Sequence, residues 1–77
     1  MDVVTVEGET ANRIRVLSPR EREVLDLLAN GLTGEEVAAR LSLSPETVRT
    51  HVRNAMGKLE AHTRVHAVAI ALRNGEI

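Results

Sequence analysis

The 77-residue chain contains no cysteine and no phenylalanine, tyrosine or tryptophan. Without cysteine there is no disulfide to staple a small fold and no thiolate-based zinc site, and the redox compartment goes unmarked. Without aromatic rings the chain lacks the stacking platforms that hold single-stranded nucleic acid and the walls of most carbohydrate or aromatic-ligand pockets. Its core must be aliphatic. No apolar run approaches the roughly 18 residues of a membrane span, and no basic segment followed by an apolar one opens the chain. The expectation is a soluble, cytoplasmic protein with no membrane partner. A chain of this length allows one small domain, which buries only about 60% of its potential surface.

Positive charge is not in surplus either: the net charge is −1. The distribution is uneven, however. Residues 1–41 carry Arg13, Arg15, Arg20, Arg22 and Arg40 against Asp2, Glu7, Glu9, Glu21, Glu23, Asp26, Glu35 and Glu36, giving −3. Residues 42–75 carry Arg49, Arg53, Lys58, Arg64 and Arg73 against Glu46 and Glu60, giving +3, and Glu76 restores the total. Either the C-terminal half presents a face to an anion, or this is ordinary surface mixing.

What the chain does have is strong helix punctuation, densest from Thr33 to Leu59. Thr33 and Glu36 have capping-box spacing, and Leu32 with Val37 forms a hydrophobic staple around that start. Val37, Ala38 and Leu41 supply a short core-facing stripe, and the helix stops at Ser42. Ser44 caps the next helix with Pro45 at its first position, and Leu43 with Val48 repeats the staple. Only Ser42, Leu43 and Ser44 separate the two, which forces the steep crossing of a helix-turn-helix. On the second of these helices Val48, Val52, Ala55, Met56 and Leu59 share one side. Glu46, Thr50, Arg53 and Gly57 gather on the other, with Arg49 and Asn54 on its shoulders. Arg49 and Arg53 stand four apart, a like-charge pair that weakens an isolated helix by roughly 0.2–0.5 kcal/mol. An anion between them relieves that.

Either side of this pair the pattern continues. Ser18, Pro19 and Glu21 start a first helix running to about Asn30, with Val24, Leu25 and Leu28 inward and Gly31 as its left-handed stop. Thr63 caps a fourth helix running to about Arg73, ended by Asn74 and Gly75. This last helix has two apolar stripes on nearly opposite sides: Val65, Val68, Ala69 and Leu72 on one, Ala67, Ile70 and Ala71 on the other. So small a domain cannot bury both, and Ala67, Ile70 and Ala71 are expected to form a homodimer interface, unless residues 1–16 cover them or they are merely an alanine-rich surface. Those first 16 residues hold a β-like run, Val3 to Val6, and read as an arm or as the end of a linker from an upstream domain, with packing of Val3, Val4 and Val6 on the helices as the alternative.

Chemistry finds little purchase. Arg20, Glu21, Arg22, Glu23 and Asp26 alternate in charge as a solvated, ion-paired helix face does. His62 and His66 have metal-chelating spacing, but His62 precedes the cap and no third ligand is placed, so two surface histidines is the plainer reading. His51 sits at the border of the buried stripe, where an imidazole simply packs. Ser18, Ser44 and Thr63 are used as caps, and no nucleophile is left with a base beside it. There is no glycine-rich phosphate loop. Neither an enzyme nor a cofactor or metal is expected.

From Leu17 to Ile77 the sequence resembles the LuxR-type, or GerE-type, DNA-binding domain. The likeness rests on LSPREREVL at 17–25, GLTGEEVAARL at 31–41, LSPETVRTHVRNAMGKL at 43–59 and TRVHAV at 63–68. It implies an all-α, four-helix helix-turn-helix domain of a bacterial transcription regulator that binds double-stranded DNA as a homodimer. The third helix (45–59) would lie in the major groove and the fourth (64–73) at the dimer contact. By position, Arg49, Thr50 and Arg53 correspond to base-reading residues, and Thr47 and Lys58 to phosphate contacts. Asn54 joins them on the exposed shoulder, and RNA polymerase is a further partner to consider. Two residues depart from the pattern. Glu60 stands where a glycine usually closes the third helix, so a left-handed cap is either strained there or moved. Gly57 replaces a residue that is often basic. The alternatives are a sigma-factor-like promoter-reading domain and a helical protein-interaction module that has lost DNA binding.

Overall fold

A computed structural model describes residues 15–77 and places four helices in them: α1 (Pro19–Ala29), α2 (Gly34–Leu41), α3 (Pro45–Leu59) and α4 (Arg64–Arg73). There is no strand among the described residues, and the fold is all-α as expected. Most of the expected arm, including Val3, Val4 and Val6, lies outside the described residues.

Each helix begins at the cap its sequence names. Ser18 Oγ accepts the Glu21 amide at 3.1 Å while Glu21 Oε1 accepts the Ser18 amide at 2.9 Å. Thr33 and Glu36 repeat this reciprocal pair at 3.1 and 2.8 Å. Ser44 takes the Thr47 amide and Thr63 the His66 amide, each at 3.0 Å. These bonds satisfy donors that the first turn of a helix leaves free.

The helices also end alike, the chain folding back so that an amide beyond the end meets a carbonyl in the last turn. Leu32 donates to Leu27, Leu43 to Ala38, Ala61 to Met56 and Glu76 to Ala71, at 3.2, 2.9, 2.9 and 2.8 Å. This closure needs one residue at positive φ. Glycine supplies it twice, at Gly31 and Gly75, but Ser42 (φ 58°) and Glu60 (φ 55°) supply it on either side of α3. The left-handed cap therefore stays at Glu60 rather than moving. For a residue with a Cβ that conformation costs roughly 1–2 kcal/mol.

What holds α3 in place is packing. Its Val48 and Val52 are buried with Val24, Val37 and Ala38, and its Ala55 and Leu59 are buried with Leu17, Leu25, Ala67 and Ala71. Met56 and, from α1, Leu28 border both groups. Full burial of a valine or leucine is worth roughly 1.5–3 kcal/mol. The Val48, Val52 and Leu59 contribution thus outweighs the roughly 1 kcal/mol that Gly57 costs in helix propensity and the strain at Glu60. The two ends of the domain are tied together as well. Glu76, itself buried, accepts the Val16 amide at 2.8 Å, and Arg22 donates to the Leu17 carbonyl at 2.7 Å.

Relief of the strain at Glu60 is measurable. Glu60→Gly should raise the unfolding free energy by about 1 kcal/mol, read as a higher urea midpoint at unchanged m-value. An unchanged or lower midpoint would show that the left-handed cap carries no strain.

Candidate nucleic-acid interface

The turn between α2 and α3 fixes the direction of α3. Ser42 reverses the chain, Leu43 turns into the core beside Val48, and Ser44 restarts the helix. Because Val48, Val52, Ala55 and Leu59 are buried, the opposite side must face outward, and Glu46, Arg49, Thr50, Arg53, Asn54 and Gly57 are all exposed. The structure thus brings together on one face five of the six residues expected to meet DNA: Arg49, Thr50, Arg53, Asn54 and, at its N-terminal edge, the half-buried Thr47. The first turn of α3 adds its free amides and the positive end of the helix dipole.

The side chains differ in what they can offer. Thr50 donates its hydroxyl to the Glu46 carbonyl at 3.1 Å, which leaves its methyl group and a lone pair for a ligand. The Thr47 hydroxyl bonds that of Ser44 at 2.9 Å and helps to close the cap. Arg49 lies 3.9 Å from Glu46 with both side chains largely in water, a pairing too loose and exposed to hold it. Arg53 has no carboxylate within 4 Å among the described residues. Gly57 faces open space, so a larger residue there meets nothing.

Lys58, expected on the DNA backbone, is engaged within the protein. Its ammonium reaches Glu21 Oε1 at 2.8 Å, the same oxygen that accepts the Ser18 amide. Burial pushes the Glu21 carboxyl up, but the Lys58 hydrogen bond and charge and the bonds from Ser18 outweigh it, and the pKa ends below the usual value. Glu21 thus departs from the solvated helix face expected of it: capping turns it inward, where it is buried, and periodicity on α3 could not reveal a partner 37 residues away.

The expected dimer face is a correction. Ala67 and Ala71 have no exposed surface, and Ile70 is half-buried against the same core. The outward residues of α4 are instead Val65, 79% exposed, and Leu72, 55% exposed. Small side chains sit where α4 must come close to the α1–α3 pair, and the larger ones project. A signal for this was available. The buried Val37 and Val48 each lie four residues after their cap, and the same position after Thr63 is Ala67.

Arg64 was not singled out by the sequence. It lines, with Arg49 and the α2 N-terminus, a groove of about 590 Å³ whose floor is Leu32, Val48, Val52 and Met56. His62 and His66 stack at 5.8 Å between ring centroids, and His66 Nδ1 accepts the His62 amide at 3.2 Å. Among the described residues no three side chains of metal-ligating type converge, and no helix is long and apolar enough to cross a membrane.

A capped helix held outward by a second helix across a three-residue turn, with a polar and basic free face, defines a helix-turn-helix DNA-binding domain. The chain belongs to the luxR family of bacterial regulatory proteins, whose family model matches residues 15–71. It is 47% identical over 62 residues to the spore germination protein GerE of Bacillus subtilis, covering 80% of this chain and 84% of that protein. The solved structure of the transcription factor GerE superimposes with a TM-score of 0.76 at 36% identity, covering 80% of this chain and 94% of that one. The response regulator ChrA of a heme-sensing two-component system gives 0.77 at 33% identity, covering 94% of this chain but 38% of that one. Several longer curated regulators are 38–46% identical, and the matched stretch spans only 26–40% of their length. Like these relatives, the chain is a transcription-regulator domain of the kind found as the effector end of response regulators.

Because the Glu21 pKa is lowered in the folded state, its stabilising effect is fully present above the unfolded carboxylate value and is lost as pH falls through the folded one. Glu21→Gln should lower stability by about 1 kcal/mol at pH 7, and the gap to the parent should close in acid. Urea midpoints from pH 7 to pH 3 read this directly, and a gap constant with pH would remove Glu21 as its source.

Proposed function

We propose that this domain binds double-stranded DNA sequence-specifically, with α3 in the major groove, as a homodimer joined through the outward face of α4. The observation that carries the reading is the free face of α3, where arginines, a threonine and an asparagine stand on a helix whose other side is locked into the core. Arg49 and Arg53 can each donate two parallel hydrogen bonds to guanine O6 and N7. Asn54 matches adenine in the same way, and the Thr50 methyl suits a thymine methyl. Thr47, the amides of the first α3 turn and Arg64 position the domain on phosphates without reading sequence. In the cytoplasm such a dimer acts beside RNA polymerase, as the effector end of a longer regulator or alone.

Val65 and Leu72 support α4 as the dimer contact, since two large apolar side chains lie open to water on the side opposite the buried Ala67 and Ala71. A two-fold axis there pairs two recognition helices and calls for an inverted-repeat operator. Leu72→Glu should shift sedimentation toward the monomer and weaken binding to the full repeat far more than to a half-site. An unaltered assembly state would place the contact elsewhere.

The reading is tested with a random duplex pool at low and moderate salt, comparing the parent with an Arg49→Ala, Arg53→Ala double variant and sequencing what is retained. Enrichment of an inverted repeat by the parent alone is expected. Arg53→Ala alone should cost about 1–3 kcal/mol at one base pair and relax preference there. If the parent retains no duplex at low salt, the α3 face has a different partner.

A further inference from the structure

The cations of α3 are not equally available to an anion. Arg53 is unpaired among the described residues and Arg49 is loosely paired in water, but Lys58 is held against a carboxylate whose side chain is 6% exposed. That carboxylate cannot follow Lys58 outward. Glu21 Oε1 also accepts the Ser18 amide, which closes the start of α1, and Glu21 packs among residues of the core. The Lys58 side chain is itself 42% exposed, so its remaining N–H donors can touch a phosphate only while its charge stays matched to Glu21. A move that breaks the 2.8 Å bond leaves Glu21 buried without its counter-charge, which is disfavoured.

We infer that Glu21 is a positioning residue for the DNA surface: it retains Lys58 in the complex and so withholds one positive charge of α3 from the phosphate backbone. This rests on the DNA-binding reading above. Sequence-independent attraction to DNA scales with the number of phosphates a protein neutralises. With Lys58 retained, that component falls to the few remaining cations, and binding depends more heavily on Arg49 and Arg53 meeting the right bases. The overall charge of −1 is consistent with such restraint.

The salt dependence of binding to a random-sequence duplex separates this role from a merely structural one. Parent, Glu21→Gln, Lys58→Ala and the double variant are compared by fluorescence anisotropy between 50 and 200 mM salt, after circular dichroism has confirmed that each is folded. Releasing Lys58 in Glu21→Gln should steepen the slope of log K against log salt by about 0.9 per protomer. The loss of affinity across that salt range then grows by about 3.5-fold. Lys58→Ala alone should leave the slope nearly unchanged, and the double variant should return to the parent's slope. The inference is overturned if Glu21→Gln does not steepen the slope, if the double variant keeps a steepened one, or if Lys58→Ala flattens it by a full phosphate contact. Should Glu21→Gln fail to fold, the Lys58→Ala result decides by itself. A parent that binds no duplex at 50 mM salt would instead refute the DNA-binding reading.

Discussion

The structure depends on one constraint, that α3 must keep Val48, Val52, Ala55 and Leu59 inside. The first two close one group of buried side chains with α1 and α2, and the last two close another with α1 and α4. Rotating α3 by one residue would expose the valines of one group and the leucine of the other at once. The polar face is therefore a consequence of the core: Arg49, Thr50 and Arg53 point outward because their neighbours on the wheel cannot.

Around that helix the turns are short and tightly bonded, which suits a surface that has to be presented rigidly. Ser42, closing α2, and Glu60, closing α3, hold left-handed conformations, and in each case the next amide bonds back into the preceding helix. The chain thus accepts strain in the turns on either side of α3 in exchange for a fixed direction. Glu21 extends the same rigidity across the fold, since one carboxylate oxygen caps α1 and pins the last turn of α3.

Electrostatically the domain is economical. Its cations cluster on the C-terminal half, yet acids from neighbouring turns or from α1 stand beside two of the three on α3. In the proposed complex recognition then leans on geometry more than on charge, and the exposed Val65 and Leu72 offer the apolar area for the proposed second copy.

By itself the sequence determined the four helices, their caps and the inward stripe of α3, because these follow from spacing along a single helix and from residues three or four apart. The same local rules placed Arg49, Thr50, Arg53 and Asn54 on the free face. Tertiary structure alone decided what depends on two distant segments meeting. It turned Ala67 and Ala71 inward and Val65 and Leu72 outward, since both stripes of α4 are apolar and only the closeness of α1 and α3 favours the smaller side chains. It also brought Lys58 to Glu21 and Arg64 to the groove beside Arg49, pairings that no periodicity records because the partners lie on different helices.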